Sequence, residues 1–277
     1  MQQFIPSRLV LPTFFCLALL VAPAFAQAGP WTKSTGEYYV KLGESFYRAT
    51  SYRTGTGLPI SGTDYFSATT YLYAEAGIWK NLHLQTYLPL MYSRATLVNQ
   101  VFTDFGPGDA QFALQASPFP LPFPTSIRLE ARVPLYGPPA TPQTPARGDG
   151  QLDLTAWLSA GGGLYPIPLY FYLDLGYMVR SDITFSDLVV PNYSDSIVAM
   201  AQVGYTVLDT FILALNSSAI LPLEQDNVTE GYITVGPSVF WPLSDQLALE
   251  FDGYLTPFSR NSAEGWAVGF GLSFRSN

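Results

Sequence analysis

Glu250 and Asp252 have the type and spacing that carboxylate chemistry needs. Two positions apart on a β-strand, their side chains would share one face at about 7 Å from each other. Glycosidases use such a pair, one carboxyl as general acid and the other as base or nucleophile. The polar inner wall of a membrane barrel also carries charged side chains of this kind. We favour the second interpretation, because paired carboxylates are common on such a wall.

His83, the only histidine, is the second candidate for chemistry. An outer-membrane phospholipase or deacylase needs a histidine base beside a serine nucleophile near the outer rim. The strand pattern places His83 at the opposite end of its strand, so we expect no enzyme here. The only cysteine, Cys16, lies in an N-terminal apolar run, so the rest of the chain has no thiolate for a disulfide or a metal. We expect no metal site and no cofactor.

The first 26 residues predict export. Arg8 precedes an apolar run from Leu9 to Val21, and Ala24-Phe25-Ala26 supplies the small-x-small pattern of a cleavage site. This is the pattern of a secretory signal peptide cleaved after Ala26. A membrane anchor is the alternative, but the run is shorter than the roughly 20 residues that a spanning helix needs. Residues 27–277 then form a single domain.

The composition excludes some classes of protein. Without Arg8, 12 basic and 21 acidic residues remain, a net charge of −9, which disfavours nucleic acid as a partner. Charged residues are 12% of the chain, about half the usual share of a soluble domain, while aromatic residues reach 15%. Few charges and many tyrosines suit a surface that faces lipid between two aromatic belts.

An alternation of apolar and polar residues would position the charged side chains. It predicts about twelve strands of 10 to 14 residues, longer than the 5 or 6 typical of soluble sheets. The predicted strands are 36–48, 65–78, 82–92, 108–118, 125–136, 150–164, 169–180, 195–208, 211–221, 230–241, 246–258 and 264–274. The fold class is therefore all-β, a transmembrane antiparallel up-and-down β-barrel.

The predicted connections alternate between short and long. Segments 49–64, 93–107, 137–149, 181–194, 222–229 and 259–263 are the predicted long loops. Short turns at one end and long loops at the other are typical of outer-membrane barrels, and an even strand count puts both termini on the periplasmic side. Acidic residues outnumber arginines in these loops, which predicts a preference for cations or neutral solutes.

One face of the strands carries most of the charge. On the lipid face such residues would each cost about 2–4 kcal/mol near the bilayer centre, so we expect them to line the lumen. The candidates are Glu37, Lys41, Glu75, Tyr87, Arg128, Glu130, Arg132, Asp153, Trp157, Asp174, Glu250 and Asp252. These side chains either form a selective polar pathway for solutes or fill a narrow barrel and support its wall. Tyrosines on the same face would either give small amphipathic solutes an aromatic surface to move along or simply pack the lumen.

Two details of this scheme can be tested directly. Arg132 should pair with Asp153 or Glu130, because adjacent antiparallel strands bring them to one face. Glu44 breaks the scheme, since strict alternation places it on the lipid face. A bulge at Gly43 could turn it inward; otherwise it lies at the outer interface.

Repeated motifs carry a resemblance to a known family. Gly-Asp-x-Gln opens two strands, at Gly108 and Gly148, Pro-Leu ends several, and the last strand is aromatic. With the signal peptide, these features resemble the outer-membrane transporters grouped as MetA-pathway of phenol degradation proteins. The resemblance implies a barrel and passage of small, often aromatic compounds, and it assigns no site residues. The C-terminus departs from this pattern. Substrates of the barrel-assembly machinery usually end on an aromatic residue, but here Arg275-Ser276-Asn277 follow Phe274.

The sequence thus predicts an outer-membrane channel or transporter for passive diffusion of small solutes, aromatic or hydrophobic compounds among them. Its expected partners are outer-membrane lipid, the solutes and the barrel-assembly machinery; the oligomeric state stays open. The short stretch before the first strand leaves no room for a plug domain. One alternative is a structural or surface-interaction barrel with a blocked lumen. A weaker one is a secreted soluble β-sandwich, which fractionation would identify.

Overall fold

The fold is seen in a computed structural model, which describes residues 29–97, 100–136, 144–145, 147–184, 193–208, 210–224, 226 and 229–276. The predicted signal peptide and its cleavage site after Ala26 lie outside the described residues. No helix in the described ranges is long and apolar enough to cross a membrane.

Thirteen strands form in the described part of the chain. They are β1 Tyr38–Arg53, β2 Pro59–Trp79, β3 Leu82–Leu97, β4 Gln100–Pro107, β5 Asp109–Ala116, β6 Thr125–Pro134, β7 Gln151–Gly163, β8 Leu169–Thr184, β9 Ser196–Val207, β10 Phe211–Pro222, β11 Gly231–Pro242, β12 Leu247–Arg260 and β13 Ser262–Arg275. All the pairings between them are antiparallel.

Strands β4 and β5 together occupy one position in the barrel. β4 pairs with the second half of β3 and β5 with its first half. Gly108 separates them, and a Cβ there would lie 2.9 Å from the backbone oxygen of Arg147, so the close approach of that segment requires glycine. The thirteen strands therefore make twelve positions.

The sheet closes on itself. β1 pairs with the last strand, β13, and β2 pairs with β3, so the ladder runs through all twelve positions without a free edge. The predicted closed antiparallel barrel of about twelve strands is confirmed. The β-sandwich alternative is wrong, because a sandwich would need two separate packed sheets.

The barrel is apolar outside and polar inside. On β7, Leu154 and Leu158 are 50% and 58% exposed on the outer face, whereas Asp153 and Ser159 are 1% and 0% exposed on the inner face. A soluble protein shows the reverse distribution. An outer surface covered by exposed leucine, phenylalanine and valine suits contact with lipid chains.

The two ends of the barrel differ. We call the end that holds Tyr38, Arg275 and the connections 80–81, 117–124, 164–168, 208–210 and 243–246 the turn end, and the opposite end the loop end. At the loop end, much of the predicted loops 49–64, 93–107 and 259–263 is strand instead. β12 and β13, for example, are joined by Asn261 alone. The hydrogen-bonded strands continue beyond the apolar band with polar side chains. Low hydrophobicity therefore does not mark the residue at which a strand ends.

Glu44 lies on the outer face. The pairing of β1 with both neighbours is continuous around it, and the register shift falls between Ala49 and Ser51 instead of at Gly43. The Thr70 hydroxyl donates a hydrogen bond of 2.6 Å to its carboxylate. The proposed inward turn at Gly43 is therefore wrong, and a threonine on the neighbouring strand partners the carboxylate.

Candidate functional site

A cavity of about 580 Å³ occupies the middle of the barrel. Inward-facing side chains from β1, β2, β3, β5, β6 and β8 to β12 line it, which are ten of the twelve positions of the wall. Its volume is within the range of ligand pockets for small molecules, about 300–1,000 Å³.

One side of the cavity is a wall of tyrosines. Tyr71 on β2 and Tyr87 on β3 contact each other with ring centroids 5.4 Å apart, and Tyr73 and Tyr254 line the same space. The Lys41 ammonium lies 5.7 Å from the Tyr71 ring centroid. These rings expose flat apolar faces beside hydroxyl groups, which suits contact with amphipathic molecules.

The facing side is built from amides and hydroxyls. In a closed barrel of twelve positions, β9 and β10 lie opposite β2 and β3. The Tyr170 hydroxyl donates to Gln202 at 2.7 Å, the Gln202 amide donates to Asn216, and the Asn216 amide donates to the Ser238 hydroxyl at 2.9 Å. This chain of hydrogen bonds presents neutral donors and acceptors to the cavity.

A cluster of ion pairs lies on the inner wall of β6 and β8, close to the turn end. Arg128, 4% exposed at its side chain, lies 3.8 Å from Glu130 and 3.7 Å from Asp174. Its guanidinium also stacks 4.7 Å from the Trp157 ring centroid. Trp157 packs inside the barrel with Met178 and Val198, so part of the lumen near β7 to β9 is filled by a small apolar core.

A second cluster of charges lies at the loop end. Arg132 and Asp153 occupy paired positions on β6 and β7, as the sequence predicts. The predicted ion pair of Arg132 with Asp153 or Glu130 is nevertheless wrong: Arg132 lies 3.5 Å from Asp149, Asp153 lies 3.4 Å from Arg180, and Glu130 lies 3.8 Å from Arg128. Arg180, which also binds Asp149, stands opposite Asp153 on β8 and takes its carboxylate.

The residues before β1 enter the lumen at the turn end. We call residues 29–37 the N-terminal segment. Trp31 meets Tyr170 and Tyr172 edge-on, each at 6.1 Å between centroids. The Gly29 carbonyl accepts a hydrogen bond of 2.7 Å from Gln115. These few residues are enough to fill part of the lumen.

His83 supports this segment. Its Nδ1 accepts a hydrogen bond of 3.0 Å from the backbone N–H of Lys33, and its Nε2 lies 2.7 Å from the Gln85 amide. The Lys33 ammonium lies 3.0 Å from Glu75. The imidazole is 1% exposed, and its hydrogen bonds fasten the N-terminal segment to β3.

The twelve predicted lumen residues fall into distinct places. Lys41, Tyr87, Arg128, Glu130 and Asp252 line the cavity, and Glu250 faces a narrower passage beside it. Glu75 contacts the N-terminal segment; Trp157 and Asp174 surround Arg128; Arg132 and Asp153 belong to the loop-end cluster. Glu37 instead precedes β1, is exposed, and accepts a hydrogen bond from the Ser34 N–H at 2.7 Å.

Sequence reasoning missed two groups of lumen residues. Arg180 ends the predicted strand 169–180 but is missing from the predicted lumen residues, although alternation from Asp174 along β8 places it inward. The amides of Gln202 and Asn216 were overlooked because uncharged residues gave no signal. Among the described residues, no group of three His, Cys, Asp or Glu side chains is placed to hold a metal ion.

Solved structures with a similar fold are outer-membrane barrels. An outer membrane channel from Pseudomonas putida F1 aligns with a TM-score of 0.69 at 11% identity, over 91% of this chain and 100% of that one. The translocator domain of the autotransporter NalP from Neisseria meningitidis has a TM-score of 0.56 at 10% identity, over 88% of this chain and 90% of the other. The NanC porin has a TM-score of 0.51 at 10% identity, over 85% and 98%.

No protein-family profile matches the chain, and no curated protein is similar to it in sequence. At identities of 10–11%, the structural similarities show the fold alone. The fold is thus a closed twelve-stranded antiparallel barrel of the kind found in outer-membrane proteins.

Proposed function

We propose that this chain lies in the bacterial outer membrane and lets small solutes diffuse through its lumen. The observation that carries the proposal is the cavity of about 580 Å³ enclosed by the barrel. Its polar and aromatic lining contrasts with an outer surface of exposed apolar side chains, as expected of a channel surrounded by lipid. The similarity to a solved outer membrane channel supports the same function.

The turn end would face the periplasm and the loop end the medium. This orientation follows the usual arrangement of bacterial outer-membrane barrels, whose short turns are periplasmic. It requires export by the predicted signal peptide and insertion by the barrel-assembly machinery. Fractionation should recover the protein with outer membranes, and its gel mobility should shift on boiling; recovery in the soluble periplasm would contradict the location.

The lining favours small amphipathic solutes. The tyrosine wall on β2 and β3 suits an aromatic or aliphatic ring, and the opposite wall of Gln202, Asn216 and Ser238 suits hydroxyl or carbonyl groups. Monohydroxylated aromatic compounds have both features. The family resemblance also suggests small, often aromatic compounds.

Reconstitution tests the proposed transport. Liposomes containing the purified barrel should swell in small neutral solutes, faster in phenol-sized compounds than in disaccharides, and planar bilayers should show discrete currents. Absence of both solute flux and current would contradict the channel function. Heat-denatured barrel in the same lipids is the control for leakage.

A structural barrel with a blocked lumen is the second candidate. It is favoured by the N-terminal segment and the ion pairs, which narrow the lumen at the turn end. In that case no solute would pass, and replacing Arg128 by Ala would lower stability without a specific loss of uptake.

A further inference from the structure

The turn end of the barrel is closed unevenly. The N-terminal segment contacts the inner faces of β2, β3, β5 and β8, through Glu75, His83, Gln115 and Tyr172. Backbone hydrogen bonds reinforce it: the Gly36 N–H donates to the Gly77 carbonyl at 3.0 Å, and the Gly77 N–H to the Glu37 carbonyl at 2.8 Å. This half of the turn end is a fixed wall.

The other half contains a narrow passage. It begins at the turn between β11 and β12, near Gln246, and runs along the inner faces of β8 to β13 and β1, with Lys33 of the N-terminal segment on its other side. Lys41, Gln202, Ser238 and Asp252 line both this passage and the central cavity, so the two spaces meet there.

The passage is far smaller than the cavity. It holds about 70 Å³, compared with about 580 Å³ in the middle of the barrel. A water molecule takes up about 30 Å³ in the liquid, so the passage accommodates only a few waters. A ring-sized solute can cross only if a side chain moves.

An ion pair between two inward-facing side chains closes the passage. The Lys41 ammonium lies 3.0 Å from Glu250, which also accepts a hydrogen bond from the Tyr39 hydroxyl. Asp252, two residues further along β12 and deeper in the lumen, lies 3.9 Å from the same ammonium. Because a second carboxylate stands beside the first, Lys41 can move from Glu250 to Asp252 without losing its ionic partner.

We propose that solutes move between the cavity and the turn end through this side passage, and that the Lys41–Glu250 pair is its gate. The proposal deepens the proposed channel function and rests on it. The passage is lined by three cations, Lys33, Lys41 and Arg275, and by two carboxylates, Glu250 and Asp252, so the gate acts by blocking the passage and its lining carries no net negative charge.

The chain provides a matched pair of variants for the test. Glu250 and Glu75 both face inward at the turn end, and each lies 3.0 Å from a lysine, Lys41 and Lys33 respectively. Glu250→Gln should raise the single-channel conductance several-fold, because it removes the ion pair that holds Lys41 across the passage. Glu75→Gln should raise the conductance less than Glu250→Gln does, because backbone hydrogen bonds still hold the N-terminal segment even though its Lys33 also lines the passage. Equal effects, or opening by Glu75→Gln alone, would overturn the gate.

Cysteine labelling gives a second readout that needs no current. Residues 27–277 contain no cysteine, so Ser273→Cys, which lines the passage, and Ser126→Cys, which contacts Gln115 beneath the N-terminal segment, can each be labelled alone. Both serines are buried, at 3% and 0% exposure. A charged methanethiosulfonate should modify Ser273→Cys much faster, and Glu250→Gln should accelerate this further, as followed by intact mass.

The two readouts separate the proposals. Equal labelling rates at the two cysteines would show that the side passage is no more open than the wall, which overturns the inference. A parent barrel that gives neither current nor solute flux would contradict the channel function, while the labelling rates still decide which half of the turn end opens. A boiling-dependent gel shift establishes that each variant is folded.

Discussion

Glu44 is the residue whose environment is least expected. It pairs across the sheet with Phe270, the centre of the outward apolar series Phe274, Leu272, Phe270, Val268 and Trp266 on β13. A carboxylate at the middle of a lipid-facing band is unfavourable, although less so than lysine or arginine, which cost about 2–4 kcal/mol there. The hydrogen bond from Thr70 offsets part of this cost.

We therefore expect Glu44→Leu to raise the free energy of unfolding by about 1 kcal/mol. Thr70→Val should lower it, because the carboxylate loses its donor while staying on the outer face. Urea titration of the barrel in lipid vesicles measures both. A destabilising Glu44→Leu would mean that the carboxylate has a partner in the membrane that offsets its desolvation.

Asp149 binds both Arg132 and Arg180 at the loop end. Asp149→Asn should weaken heat resistance, and a double-mutant cycle of Arg132→Ala with Asp149→Asn should show coupling of about 0.5–3 kcal/mol. The cycle of Arg132→Ala with Asp153→Asn should show less, because Arg180 holds Asp153. Stronger coupling of Arg132 to Asp153 would contradict the geometry.

Among the secondary-structure elements, the alternation of apolar and polar residues predicts the strands and their register. It does not predict which inward-facing charged side chains form ion pairs with each other. The pairing of Arg132 with Asp153 across β6 and β7 follows from counting down the hairpin. The ion pairs do not, because Arg180 arrives from a third strand and Asp149 from a connection. The N-terminal segment gave no periodic signal, since its contacts join single residues such as Trp31 to distant strands.

This segment should be held by the aromatic contacts of Trp31. Trp31→Ala removes edge-to-face contacts with Tyr170 and Tyr172, each about 0.5–1.5 kcal/mol beyond burial. Trypsin should then cleave after Lys33, which in the parent is paired with Glu75, and intact mass would report the cut. Trp79→Ala, at an exposed outer position, is the control. Equally fast cleavage of the parent would show that the segment is not docked.

At the scale of the whole molecule, an acidic chain places several carboxylates around one opening. Glu230 lies just before β11 at the loop end and faces Asp149 and the arginines Arg132 and Arg180. Glu230 is exposed at the rim, but the barrel wall around it displaces part of the water that would hydrate its carboxyl. This desolvation, followed by repulsion from Asp149, raises the pKa of Glu230 to about 7, although the arginines act in the opposite direction.

The selectivity of the channel should therefore change with pH near neutrality. Below pH 7 the Glu230 carboxyl is protonated and the mouth loses a negative charge; above pH 7 it gains one. We expect reversal potentials in a salt gradient to show a cation preference that increases from pH 6 to pH 8. The preference should fade in high salt, which shortens the screening length to about 3 Å at 1 M. Glu230→Gln should flatten the pH profile, whereas Glu224→Gln, an exposed glutamate of the same loop, should preserve it. A pH-independent parent, or anion selectivity across this range, would contradict the assignment of Glu230 to the mouth of the conducting path.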